Sequence, residues 1–193
     1  LKSMLKDSTA LAMVGGLHSP PLIAMRDEIN KSEFPVLVPW AAATPITRSK
    51  EKKNWIFRLS IDDSKAGTYI TNNAIQKESF KKPYLILENT GWGRANNATM
   101  TKALNKLNKK SAGLSWFNWN LGINQAKQIL RKAYHSGADV IFFVGNSPEG
   151  KIFAKGMYEL NKENRLPIRS HWGITGGDFP HIIPVDMRKE IDL

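Results

Sequence analysis

Residues 82–94 read KPYLILENTGWGR, and this stretch decides the fold class. Its apolar run, bounded by a lysine and an asparagine, has the length of one buried strand. Thr90-Gly91-Trp92-Gly93 then turns the chain into a segment bearing Met100, Leu104 and Leu107 at helical spacing. Strand-like and amphipathic helix-like runs alternate in the same way between residues 10 and 173. Residues 10–16, 34–42, 82–89, 138–146 and 167–173 read as five short buried strands. Such alternation predicts an α/β fold of parallel sheets flanked by helices. Open sheets of that kind bind ligands outside the carboxyl ends of their strands, so candidate site residues are sought there.

Working outward, Ser19 is the expected N-cap of a helix reaching about residue 32, with Pro20 at its first helical position. Residues 54–60 (NWIFRLS) alternate apolar and polar, which suits a sheet edge or a crossing between units. A second unit begins near Asp62: Asp62 or Asp63 caps a helix running to Phe80, with Ala66, Ile70 and Ala74 on one face. Residues 112–119 form a strand rich in aromatics. Ala126, Ile129, Leu130, Ala133 and Tyr134 define a one-faced helix stopped by Gly137. Ile152, Phe153, Gly156, Met157 and Leu160 repeat that spacing. Two units are expected, residues 1–61 and 62–178. The first has too few elements to close a sheet. Leu1 and Leu5 open like the middle of a helix, and residues 185–193 stop without a closing element. The chain therefore reads as an internal fragment.

Composition narrows the classes. The 193 residues are 41% hydrophobic and 23% charged, enough to bury a core and too apolar for a disordered chain. No apolar stretch approaches the ~20 residues that span a bilayer, and no signal peptide is visible. With no cysteine, disulfides, thiolate catalysis and sulfur-ligated metals are excluded. The net charge is +11. The lysines are scattered over residues 50–53, 77–82, 102–110 and 151–162, so the charge reads as a solvated basic surface, with no nucleic-acid partner.

No catalytic or metal motif stands up. Gly91-Trp92-Gly93 lacks the third glycine of a dinucleotide turn, since residue 96 is Asn96. Ser19, in Leu17-His18-Ser19-Pro20-Pro21, fails the G-x-S-x-G elbow. The four histidines show no metal spacing; His135 belongs to a helix end, whereas His18 and His171 fall at strand exits. Trp40, Trp92 and Trp172 also stand at strand exits, where indole faces suit the walls of a small-molecule cleft.

Val14-Gly15-Gly16-Leu17-His18-Ser19, Phe34-Pro35-Val36-Leu37-Val38-Pro39 with residues 41–45, and Phe57-Arg58 before Asp62/Asp63 together resemble the type I periplasmic solute-binding proteins. The nearest branch is the leucine/isoleucine/valine-binding one, the extracellular receptors of ABC importers. Residues 89–94, Gly137-Ala138-Asp139-Val140 and residues 170–179 continue the likeness in order. The resemblance implies two α/β lobes that close on a solute, without catalysis, cofactor or metal, in the periplasm (or lipid-anchored outside the cell), with an ABC permease as partner. Residues 1–61 would be part of lobe 1, 62–178 lobe 2, and 179–193 the start of a return toward lobe 1.

The binding positions that the resemblance implies are His18, Ser19 and Pro20 after the first strand, then Ala41, Ala43 and Thr44 after the second, the threonine displaced by one position. In the second lobe they are Trp92, Asn146 in place of an aromatic, and Trp172 in place of the acid that receives an amino group. Pro20 and Pro21 offer no N–H to a carboxylate. A missing acid leaves a buried ammonium unpaired, which disfavours a branched-chain amino acid. Asp178 or Glu149 would restore an acid and keep amino acids open. The expected ligand is a small organic solute, aromatic and carboxylated molecules included. Two alternatives remain: a cytosolic ligand-sensing regulator of the same fold, and an α/β enzyme using Ser19, His18 or Asp178.

Overall fold

The structure is a computed structural model that describes residues 2–48 and 53–193. Leu1, read as falling within a helix, and the lysines Lys50 and Lys52 lie outside the described residues. Two parallel sheets carry the fold. The first has the order β1 (Met13–Val14), β2 (Val36–Val38), β3 (Ile56–Arg58). The second has the order β5 (Gly113–Phe117), β4 (Pro83–Glu88), β6 (Val140–Val144), β7 (Ile168–Ser170). All strand pairs are parallel. The α/β class and its flanked parallel sheets are thus as the alternation predicts.

The strands are shorter than the apolar runs. Pro35 and Pro39 bracket β2 and have no N–H for a ladder, which trims the run 34–42 to three residues. Residues 54–60 take the edge position of the two open to them, as β3. Around Leu5 there is one 3₁₀ turn, Met4–Lys6, and no helix. Asp7 accepts from Thr9 N and Oγ1 at 2.9 and 2.6 Å, a local bond that competes with helix continuation. Residues 185–193, read as lacking a closing element, form α7 (Val185–Glu190), followed by Ile191, buried in the core, and Ile168 N–H donates to Asp192 O at 2.9 Å. Phe179, Ile183 and Ile191 of the stretch 179–193 belong to the core cluster of the second sheet.

β4 and β6 are buried along their whole length, because helices cover both faces of the second sheet. Tyr84, Ile86, Ile141 and Phe143 face α4 (Ile123–His135) and α5 (Ser147–Tyr158), in a cluster with Leu130, Phe153 and Met157. Leu85, Leu87, Val140, Phe142 and Val144 point the other way, toward Met100 and Leu104 of α3 (Gly91–Lys106). That second cluster runs on into Val36, Val38 and Ile56 of the first sheet. On the first sheet's opposite face Val14, Leu37 and Phe57 stand in register, 72%, 44% and 51% exposed.

The helices start close to the expected places. Asp62 is the N-cap of α2 (Asp63–Asn72), accepting from Ser64 N–H. Beyond Asn72 the helix widens into a π turn over Asn73–Lys77 and does not continue regularly to Phe80. In α1 (Ser19–Ser32) the N-cap is His18 and not Ser19; Ser19 is the first helical residue, and its Oγ accepts from Ala43 N–H at 3.2 Å. Pro20 consequently sits one position later than expected. α4 ends at His135, with Gly137 at φ 74 closing it in the left-handed conformation.

Candidate functional site

The chain leaves β4 toward β5, then returns to place β6 on the other side of β4. The gap between the β4 and β6 exits is therefore the switch point of the sheet, where a ligand crevice forms. Glu88 is the last residue of β4, and Asn146 caps α5 just after β6. Their side chains meet there, Asn146 Nδ2 donating to Glu88 Oε2 at 3.2 Å. The strand exits of the first sheet approach the same gap.

A narrow inner cleft of about 20 Å³ is lined by residues 17–20 and 40–42 on one side. Glu88, Trp92, Asn146 and residues 171–173 line the other. It shares Leu17, His18, Trp40, Asn146 and Gly173 with a wider mouth of about 460 Å³, which adds Trp119, Glu149, Lys151 and Asp178. The inner space holds one or two waters, whereas the mouth has the size of a small-molecule site. The His18 and Trp119 rings lie 5.7 Å apart, joining the two sides.

Of the residues named from sequence, His18, Ser19, Pro20, Ala41, Trp92, Asn146 and Trp172 all line the inner cleft. Ala43 and Thr44 do not. Ala43 is fully buried, and Thr44 Oγ1 donates to Asp62 Oδ1 at 2.6 Å, so both serve the crossing between the sheets. Asp62 also accepts from Arg58 Nη2 at 2.5 Å, while Arg58 Nη1 donates to the carbonyls of Ala42 and Ala43 at 2.8 and 2.9 Å. Burial would raise the Asp62 carboxyl, but hydrogen bonds from Thr44, Ser64 and Arg58 outweigh it and hold Asp62 well below the usual carboxylate range.

His171 ties the second sheet to the same crossing. It is buried, and Gly173 N–H donates to its Nδ1 at 3.1 Å. Nε2 therefore carries the proton and donates to Asp63 Oδ1 at 2.8 Å. Trp92 meets the His171 ring edge-on at 5.0 Å, and Trp172 lies 3.6 Å from it on another side. Trp92 is 7% exposed, and its indole N–H has no hydrogen-bond partner. An orphaned donor on a cleft wall is a place for an acceptor on a ligand.

Glu88 is the residue that the sequence reading missed. It is 2% exposed, and its other oxygen accepts from Thr90 Oγ1 at 3.1 Å. Burial pushes its carboxyl up from the ordinary value; hydrogen bonds from Trp119, Thr90 and Asn146 oppose the rise, and the Glu149 charge adds to it. Glu149 is also buried, its Oε1 accepting from Asn120 N–H at 3.3 Å. Asp178 is exposed and paired with Lys151 at 2.7 Å, which holds its carboxyl down. The signal for Glu88 was present: a lone carboxylate closing an otherwise apolar strand must be satisfied or used. Among the described residues no cluster of His, Asp or Glu is placed to hold a metal, and no helix is long and apolar enough to cross a membrane.

Comparison with known proteins agrees with this fold. Residues 1–158 match the family described as periplasmic binding protein. A solute-binding protein of an ABC transporter from R. palustris, solved with 4-hydroxybenzoate, superimposes with a TM-score of 0.82 at 19% identity, over 94% of this chain and 48% of that one. A second from R. palustris, solved with benzoate, gives 0.79 at 18% identity over 95% and 49%. A leucine-binding protein from Thermotoga maritima MSB8 gives 0.77 at 14% identity over 94% and 50%. At these identities the likeness is one of fold, and the chain spans about half the length of the structures it matches. No curated protein sequence matches it.

Proposed function

The chain belongs to the periplasmic binding protein family, whose members bind solutes and do not catalyse, and from that premise we propose that it captures a small organic solute in the cleft between its two sheets. The observation that carries this reading is the shared lining: residues 17–20 and 40–42 from one sheet face Glu88, Trp92, Asn146 and Trp172 from the other. A site built from both sides couples occupancy to closure, because a solute touching both stabilises the closed arrangement over the open one. The two sheets act as lobes divided near residues 60–63. The partner is an ABC permease and the place of action the periplasm. The relatives solved with benzoates and the leucine-binding relative support a ligand of that size.

Calorimetric titration of the protein with benzoate, 4-hydroxybenzoate and L-leucine tests this. At least one is expected to bind saturably at one site, with that heat lost in Trp92→Ala. No binding by all three, or binding unchanged in the variant, contradicts the reading.

A further inference from the structure

We propose that the solute carries an ammonium group and that Glu88 receives it, Trp92 offering its indole N–H to an acceptor on the same molecule. This rests on the cleft being the solute site. The chain as a whole has a net charge of +11, yet among the described residues no lysine or arginine lines the inner cleft. Among the described residues neither Glu88 nor Glu149 is in an ion pair. The lysine at the mouth, Lys151, is already paired with Asp178. His171 spends its one ring proton on Asp63. Glu88 thus sits buried at the switch point with only neutral hydrogen-bond donors on its oxygens.

A buried carboxylate without a cation is costly, and an arriving ammonium removes that cost. A purely anionic solute would instead meet two carboxylates and, among the described residues, no unpaired lysine or arginine. The indole faces of Trp40, Trp92 and Trp172 around the same space add attraction for a cation. The unpartnered Trp92 N–H is a donor, so it favours an acceptor elsewhere on the solute. A molecule with both groups, of the amino-acid type, satisfies both walls. The sequence reading disfavoured a branched-chain amino acid because Trp172 stands where the acid was expected, and kept amino acids open only through Asp178 or Glu149. Glu88 supplies that acid from another strand.

Two pairs of probes that differ only by the amino group decide the matter: L-leucine against 4-methylpentanoate, and L-phenylalanine against 3-phenylpropanoate, with benzoate alongside. In tryptophan-fluorescence titrations of the protein, the amino member of at least one pair is expected to bind about thirtyfold or more tightly than its partner. Glu88→Gln is expected to abolish that preference. Because burial disfavours the ionised acid, this variant should melt at pH 7 no lower than the parent, so lost binding cannot be read as unfolding. Benzoate or the deaminated acids binding as tightly as the amino compounds would overturn the ammonium assignment while leaving the cleft in place. A preference that survives Glu88→Gln would remove Glu88 from it. Silence from all five probes would defeat the cleft reading itself and the inference with it.

Discussion

Asp62→Ala is expected to lower the unfolding free energy by about 3–5 kcal/mol, the usual consequence of leaving one partner of a buried ion pair uncompensated. The Arg58 and Asp62 side chains are only 6% and 7% exposed, so solvent cannot take over the orphaned guanidinium. Asp62 caps α2, accepts from Thr44 and neutralises Arg58, which in turn grips the carbonyls of Ala42 and Ala43. Removing it loosens the loop after β2 and the start of α2 together. Asp62→Asn keeps a competent cap and loses only the charge, so its cost should fall between wild type and Ala. The pH dependence has a definite sign. A carboxyl held low in the fold contributes stability above its unfolded value of about 3.9, and that contribution fades as pH falls toward the lower folded value. The gap between wild type and Asp62→Ala in urea unfolding should therefore stay constant from pH 7 to about pH 5 and narrow only in stronger acid. A pH-independent gap under about 1 kcal/mol would show that the pair does not hold the crossing.

Gly93→Ala is the second large effect. A Cβ at Gly93 would lie 1.8 Å from the Glu88 carbonyl oxygen and 2.9 Å from its carbon. Both are backbone atoms at the end of a central strand, so neither can swing away. The start of α3 has to lift off β4, which carries Trp92 away from Glu88 and breaks the Thr90 cap on Gly93 N–H. Overpacking of this kind costs about 1–3 kcal/mol and sometimes more. Solute binding should be lost as well, since Trp92 and Glu88, whose separation would change, both line the cleft. Gly91 gives the control. A Cβ there meets nothing within 4 Å, so Gly91→Ala should be neutral or stabilising by up to about 1 kcal/mol. Thermal unfolding of the two variants side by side checks the contrast; equal melting temperatures would contradict it.

The parts of this fold that sequence makes legible are those governed by periodicity. The run 138–146 is apolar because β6 is buried on both faces, and the spacing from Ala126 to Tyr134 fixes the inward stripe of α4. Strand ends are less legible, because apolar side chains continue past the last ladder bond, as they do on both sides of β2. Side-chain direction at a loop is not legible at all. Thr44 resembles a ligand contact in sequence, yet its hydroxyl is taken by an aspartate eighteen positions later. Glu88 and Asn146 are separated by fifty-eight positions, and only the strand order brings them together. The tryptophans at strand exits are the exception: Trp40, Trp92 and Trp172 reach the cleft because parallel strands all deliver their exits to one edge.

The central claim, one cleft enclosed by strand exits of both sheets, is tested most directly by the indole N–H signals of the six tryptophans in two-dimensional nitrogen–proton NMR. On titration with a solute that binds, the Trp92 signal, assigned through Trp92→Phe, should move furthest because its unpartnered donor gains an acceptor. The amides of His18 and Gly173, on opposite sides, should move with it. Shifts confined to one sheet, or a Trp92 signal that stays in place while the solute saturates, would contradict the account.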